Sequence, residues 1–97
     1  MPKTDVPKID VQAESDATFV VTVVDGEDQT THRVTVPSEF ADRLVGQAGS
    51  TEELVRLSFE FLLEREPQES ILREFDITVI ARYFPEYEDE LRDRLGA

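Results

Sequence analysis

Residues 50–67, STEELVRLSFEFLLEREP, decide the fold. Ser50 and Glu53 have the spacing of a capping box, in which the hydroxyl accepts from the amide three residues on and the carboxylate reaches back to the cap's own amide. A helix begins there and runs to the residue before Pro67, whose ring disfavours helical geometry at Glu66. At about 100° per residue, Glu53, Arg56, Glu60 and Glu64 fall on one polar strip. Leu54, Val55, Leu57, Ser58, Phe59, Phe61, Leu62 and Leu63 cover most of the remaining circumference. A helix this apolar must be packed on at least two sides. It is therefore expected at the centre of the fold, with strands on one side and other helices on the other.

The strands are sought upstream. Thr18 to Val24 is a dense β-branched run ending at Asp25-Gly26, and Thr31 to Val36 is a second run closed by Pro37. Two such runs around a turn signal read as a β-hairpin. His32, Val34 and Val36 share one face of the second strand, and Thr31, Arg33 and Thr35 share the other, so one face is core and one is wet. Ser38 is placed to cap a short helix through Val45, with Phe40 and Leu44 one turn apart; Gly46 to Gly49 breaks it. Downstream, Pro67 suits the start of a helix carrying Ile71, Leu72 and Phe75. Asp76 can cap another, in which Ile77, Ile80, Ala81 and Phe84 fall at i, i+3, i+4 and i+7. Pro85 separates it from a last helix with Tyr87, Leu91 and Leu95 on a narrow apolar stripe. Glu88–Arg92 and Glu90–Arg94 are i,i+4 pairs in the favourable order. The expected class is α+β: an N-terminal β-hairpin packed on a helical C-terminal half with one central, largely buried helix.

Residues 1–16 combine Pro2, Pro7, many charges and few large apolar groups, so they read as a disordered acidic lead ahead of a single domain over 17–97. Ile9, Val11 and Ala13 alternate with Lys8, Asp10 and Gln12, which leaves an edge strand as the alternative. The lead has no apolar run after a basic start, so no secretory signal is expected. Leu54 to Leu63 is too short and too interrupted to span a bilayer. The expected location is cytoplasmic, with no membrane association.

Charge is the most informative feature of composition. The 97 residues hold 22 acidic and 10 basic groups and a net charge of −12. Residues 1–49 carry 4 basic and 9 acidic groups, and residues 50–97 carry 6 and 13, giving −5 and −7, so acidity is spread along the chain. Both lysines, Lys3 and Lys8, lie in the lead. A dense carboxylate surface without lysine suits a halophilic cytoplasm, where molar salt shrinks the Debye length to a few Å, better than it suits one dedicated basic ligand. With no cysteine, disulfides, thiolate metal sites and cysteine nucleophiles are all excluded.

Within Glu53 to Tyr87, the segments SFEFLLEREP (58–67), Ser70-Ile71-Leu72, Phe75-Asp76 and Tyr83-Phe84-Pro85-Glu86-Tyr87 resemble a family of small uncharacterised prokaryotic proteins with no established activity. The resemblance covers a third to a half of the chain, with the hairpin matching more loosely. It implies the fold and no catalytic residues.

The residues offer little for catalysis. His32 is the sole histidine, so it has no second imidazole for zinc and no cysteine partner. Its expected role is a half-exposed strand residue. Glu53, Glu60 and Glu64 on one strip could hold a hard cation, but Arg56 shares the strip and a solvated ion-paired face accounts for all four. No metal, no cofactor and no enzymatic activity are expected. Arg65 lies in the apolar arc near the end of the central helix and reads as a structural ion pair, with Glu69, Glu74 or Asp76 nearest in sequence.

Tyr83, Glu86 and Tyr87 form the expected partner surface, because tyrosine is amphipathic and enriched at interfaces. Short paired helices over 68–84 suggest a helix-turn-helix as the alternative. That segment offers a poor recognition helix with only Arg82 on it, so nucleic acid is disfavoured. An Arg33, Arg43, Arg73 and Arg82 patch would be needed to revive it. The expected function is a small cytoplasmic protein-interaction or regulatory module with an unidentified protein partner. It is expected to be a monomer or weak homodimer pairing through a strand edge.

Overall fold

A computed structural model describes residues 7–45 and 50–95. The elements run β1 (Lys8–Ala13), β2 (Thr18–Asp25), β3 (Asp28–Thr35), α1 (Ser38–Val45), α2 (Thr51–Leu63), a 3₁₀ turn (Gln68–Ser70), β4 (Glu74–Asp76), α3 (Val79–Tyr83) and α4 (Tyr87–Leu95). The class is α+β. The hairpin is the middle of a four-stranded sheet of order β1-β2-β3-β4, antiparallel except for the parallel β3–β4 pair. Asp25 opposes Asp28 across a two-residue loop. Gly26 has φ of 64° and no other described residue has a positive φ. This is the type II′ pattern, which needs glycine at its first central position.

Residues 8–13 are therefore a strand, against the expectation of a disordered lead across 1–16. The alternation of Ile9 and Val11 with Lys8 and Asp10 lets one face meet the core while the other stays wet. Val11 opposes Val21, and Ile9 opposes Val23. Residues 1–6 of the expected lead lie outside the described residues.

The helices cover one face of the sheet. Phe19, Val21, Val23, Val34 and Val36 point into the core, while Thr31, Arg33 and Thr35 face solvent. The Ser50 hydroxyl accepts from Glu53 N at 3.0 Å, capping α2 as its spacing predicts. α2 lies over β1 and β2, and α1 and α4 pack on its other side. Leu54, Val55, Phe59 and Phe61 are fully buried, each phenyl contributing about 1.5–3 kcal/mol of burial.

Two expected caps shift. Ala41 N bonds to the Pro37 carbonyl, so Pro37 and not Ser38 precedes the first turn of α1. α3 is capped at Thr78, and Asp76 Oδ1 accepts from both the Thr78 amide at 2.9 Å and its hydroxyl at 2.6 Å. The largest correction concerns residues 68–76, expected as a helix. Ser70 N bonds to Pro67 O and Ile71 N to Gln68 O, which closes a single 3₁₀ turn. The chain then extends into β4, where Phe75 pairs with Val34. Tertiary pairing overrides the helical spacing because it buries Phe75 and Ile71 on an otherwise open sheet edge.

Candidate functional site

α2 ends at Leu63 and the 3₁₀ turn that follows Pro67 reverses the chain, so Ile71, in extended conformation, and Leu72 run back beside the C-terminal end of α2. Successive extended residues face opposite ways. Ile71 is buried and Leu72 is 52% exposed. On α3, Ile80 turns inward while Tyr83, nearly one turn on, is 70% exposed. Leu72 and Tyr83 are the exposed large hydrophobics among the described residues. Between them opens a cavity of ≈ 230 Å³, with Leu62 and Glu66 from the α2 end, Ser70 and Ile71 from the return segment, and Val79, Ile80 and Phe84 from α3 and its exit.

The rim of this groove is tied to the sheet by a buried polar chain. Leu72 offers only a carbonyl to His32 Nδ1 at 2.7 Å, so Nδ1 carries the proton and Nε2 accepts. The Thr30 hydroxyl donates to Nε2 at 2.9 Å. Gln68 Nε2 donates to Thr30 Oγ1 at 3.1 Å and to Val23 O at 3.2 Å. Every donor in the chain finds an acceptor. Burial holds the His32 pKa below the ordinary imidazole value; the Leu72 bond opposes this in part, and the Arg73 charge adds to it. His32 is thus a buried anchor, not the half-exposed strand residue expected. Thr30 and His32 have the polarity of a nucleophile with its base, but both side chains are buried in the core.

The expected partner surface divides. Tyr83 is on the groove rim, but Tyr87 is 0% exposed and belongs to the core. Its ring packs against Phe61 at 5.3 Å and stacks with Phe40 at 6.1 Å. Its hydroxyl donates to Ser58 Oγ at 2.6 Å, and Ser58 in turn donates to Leu54 O at 2.8 Å. Burial pushes the Tyr87 phenol well above its usual pKa, the Ser58 bond opposing only in part. The helical stripe Tyr87, Leu91, Leu95 carried this signal, since its first member faces the same core as Leu91.

Glu86 is exposed and accepts from Arg65 Nε at 3.2 Å. Arg65 also donates to Phe61 O and lies 3.7 Å above the Phe61 ring, with its side chain 26% exposed. It clamps the end of α2 onto the start of α4, and its partner is Glu86 in place of Glu69, Glu74 or Asp76.

On the polar strip of α2, Arg94 makes two bonds to Glu64 at 2.7 and 2.8 Å and lies near Glu90 at 3.5 Å and Glu60 at 4.0 Å. The Glu64 bonds, ahead of any other influence, hold this guanidinium more firmly charged. A protein cation thus already occupies the carboxylate cluster weighed for a metal. No cluster of metal-ligating side chains occurs among the described residues.

A helix-turn-helix over 68–84 is not formed, because its first half is a 3₁₀ turn and a strand. Of the four arginines named for a basic patch, Arg33 is paired with Glu14 at 2.9 Å and Arg43 with Glu88 at 2.6 Å. No helix among the described residues is long and apolar enough to cross a membrane. Comparison with protein-family models, with curated proteins and with solved structures finds no match to this chain.

Proposed function

We propose that this chain is a small cytoplasmic protein-interaction module whose groove between Leu72 and Tyr83 takes an apolar side chain from a basic segment of a partner protein. The observation that carries this reading is the pair of exposed large hydrophobics flanking an apolar recess of ≈ 230 Å³. A cavity of about 150 Å³ already accommodates benzene, so one aromatic or leucine side chain fits. The charge of −12 and Glu66 on the groove wall favour lysine or arginine beside that anchor. The spread of acidic groups along the chain and its two lysines support a halophilic cytoplasm as the setting.

A displayed peptide library panned in molar KCl tests the reading, with the Leu72→Asp variant as counter-selector. Leu72→Asp leaves the backbone carbonyl that His32 needs, so its melting temperature should stay near that of the wild type. The expected result is a consensus of one large apolar residue flanked by Lys or Arg, recovered on the wild type and lost on the variant. Recovery of the same peptides on both proteins, or of no consensus, sinks the groove as the binding surface. The setting has its own test. Melting temperature should climb as KCl rises well past about 0.1 M, where the Debye length is about 10 Å, and a flat response would count against it.

A further inference from the structure

The geometry points to a second copy of this chain docking on the outer edge of β1, antiparallel and centred on Val11, so that the sheets of two copies join into one. This edge lies at the opposite end of the strand order from β4 and the groove beside it. Which backbone groups it presents follows from the ladder. Val36 N bonds to Ala17 O, so odd-numbered residues of β2 bond toward β3 and even-numbered ones toward β1. The bond from Glu14 N to Thr18 O fits the same alternation. Lys8, Asp10 and Gln12 therefore spend their backbone groups on β2. Ile9, Val11 and Ala13 direct theirs outward, where no strand pairs with them among the described residues.

The side chains of β1 are complementary to themselves in one register. Pairing Val11 with the partner's Val11 lets each exchange both backbone bonds and sets Ile9 against the partner's Ala13 on the inner face. On the outer face the same register sets Lys8 against the partner's Glu14, which lies one residue past the strand and is also held by Arg33 of its own chain at 2.9 Å, and Asp10 against the partner's Gln12, and the two-fold repeats each pair. Opposite charges directly across a strand pair are favourable, and like charges are not. Centring on Asp10 would oppose two aspartates and turn the wrong backbone groups to the seam. Centring on Ile9 would put Pro7, which has no N–H, opposite Val11. Only the Val11 register uses all three outward residues.

The surroundings suit such a seam. A recess of ≈ 290 Å³ beside the edge is lined by Pro7, Ile9, Glu60, Leu63 and Glu64, and Ile9 and Leu63 are only partly buried. A two-fold normal to the sheet keeps the helices of both copies on one face, so the partner's inner side chains close over this recess. Two bodies of −12 repel each other, so screening by salt strengthens the pairing.

Sedimentation velocity of the full chain across a KCl series tests the proposal. The expected wild-type result is a concentration-dependent dimer that strengthens as KCl rises. Val11→Pro removes an outward N–H without removing a β1–β2 bond, and should leave a monomer with an unchanged circular dichroism spectrum. At the lowest KCl where the wild type dimerises, Lys8→Glu should weaken the dimer by about three- to twenty-fold, and Glu14→Lys, which also releases Arg33 of its own chain, should cost the dimer several-fold less in the Lys8→Glu background than alone. This charge pair keeps the proposal testable even if the proline variant unfolds. A monomer up to about 1 mM in molar KCl overturns it, that being the weak end of useful affinity. A dimer untouched by Val11→Pro, or a Lys8→Glu, Glu14→Lys double variant no stronger than its two single changes combined would give, overturns it as well.

Discussion

The two faces of α2 solve the same packing problem with different chemistry. Toward the sheet, Phe59 packs against His32 at 5.3 Å and Phe75 at 6.1 Å, beside the buried chain of His32, Thr30 and Gln68. Toward the other helices, Phe61 meets Tyr87 at 5.3 Å and Phe84 edge-on at 5.7 Å, beside the buried pair of Ser58 and Tyr87. Both faces satisfy their polar groups completely. They differ in what a proton can do. The sheet side holds an imidazole whose pKa burial lowers from the ordinary value, so the unfolded chain takes up its proton first as pH falls, whereas on the helix side burial raises the Tyr87 phenol further above neutral pH. Satisfied hydrogen bonds make both cores tight, but pH reaches only one of them.

Phe59→Ala and Phe61→Ala should each cost about 3–5 kcal/mol in denaturant unfolding, because both rings are fully buried and leave cavities. A loss below about 1 kcal/mol for either would show that α2 is not packed on both sides. Phe59→Ala should also admit water near His32 and bring its pKa back toward the ordinary value, while Phe61→Ala should leave it unchanged; NMR titration of the ring separates the two.

His32→Leu strands the Leu72 carbonyl and the Thr30 hydroxyl and should cost about 2–3 kcal/mol at neutral pH. It should also remove an acid limb of stability. The folded pKa of His32 lies below its unfolded value of about 6.5, so the unfolded chain takes up the proton first as pH falls. The stability it contributes is complete above pH 6.5 and is lost below it, at up to about 1.4 kcal/mol per pH unit until the folded pKa is reached. Unfolding midpoints of wild type and variant that run parallel from pH 7.5 to 5, at about equal slope, would break the contrast between the faces.

Tyr87→Phe removes one donor from a pair in which Ser58 still donates to Leu54, so it should cost only about 1 kcal/mol, with the same acid limb as the wild type. Glu60→Ala, on the solvated strip and 4.0 Å from Arg94, should stay within about 0.5 kcal/mol of neutral.

The same contrast explains what could be read in advance. α2, its Ser50 cap and its two-sided burial follow from local spacing, because one helix carries the whole signal. The hairpin follows from two β-branched runs around Gly26. Over residues 68–76, Ile71, Leu72 and Phe75 fit a helical spacing, and nothing local reveals that Val34 and Thr35, far upstream, wait for a parallel partner. Amphipathic character points Tyr87 toward a rim, yet its hydroxyl has a buried acceptor in Ser58, on α2, which its own neighbourhood in sequence does not reveal. The groove is not legible in the sequence because Leu72, beside Ile71, reads as core. Two of the three residues of the expected surface, Tyr83 and Glu86, are exposed, and only Tyr83 lines the recess.

The parallel pairing of β3 with β4 also sets an order of events. β1, β2 and β3 are joined by short turns and can zip together as soon as their neighbours are made. β4 is separated from β3 in sequence by α1 and α2, and bringing such distant segments together carries a loop-closure entropy that short hairpins escape. The few bonds that fasten it, Arg33 N to Arg73 O and Ile77 N to Thr35 O, together with the side-chain bond from His32 to Leu72, are therefore the last to form. They are also the first to open. The amides of Phe75 and Ile77 should exchange with solvent well before that of Val21, so the groove rim lives on the fold's most easily released strap while the hairpin beneath it stays closed.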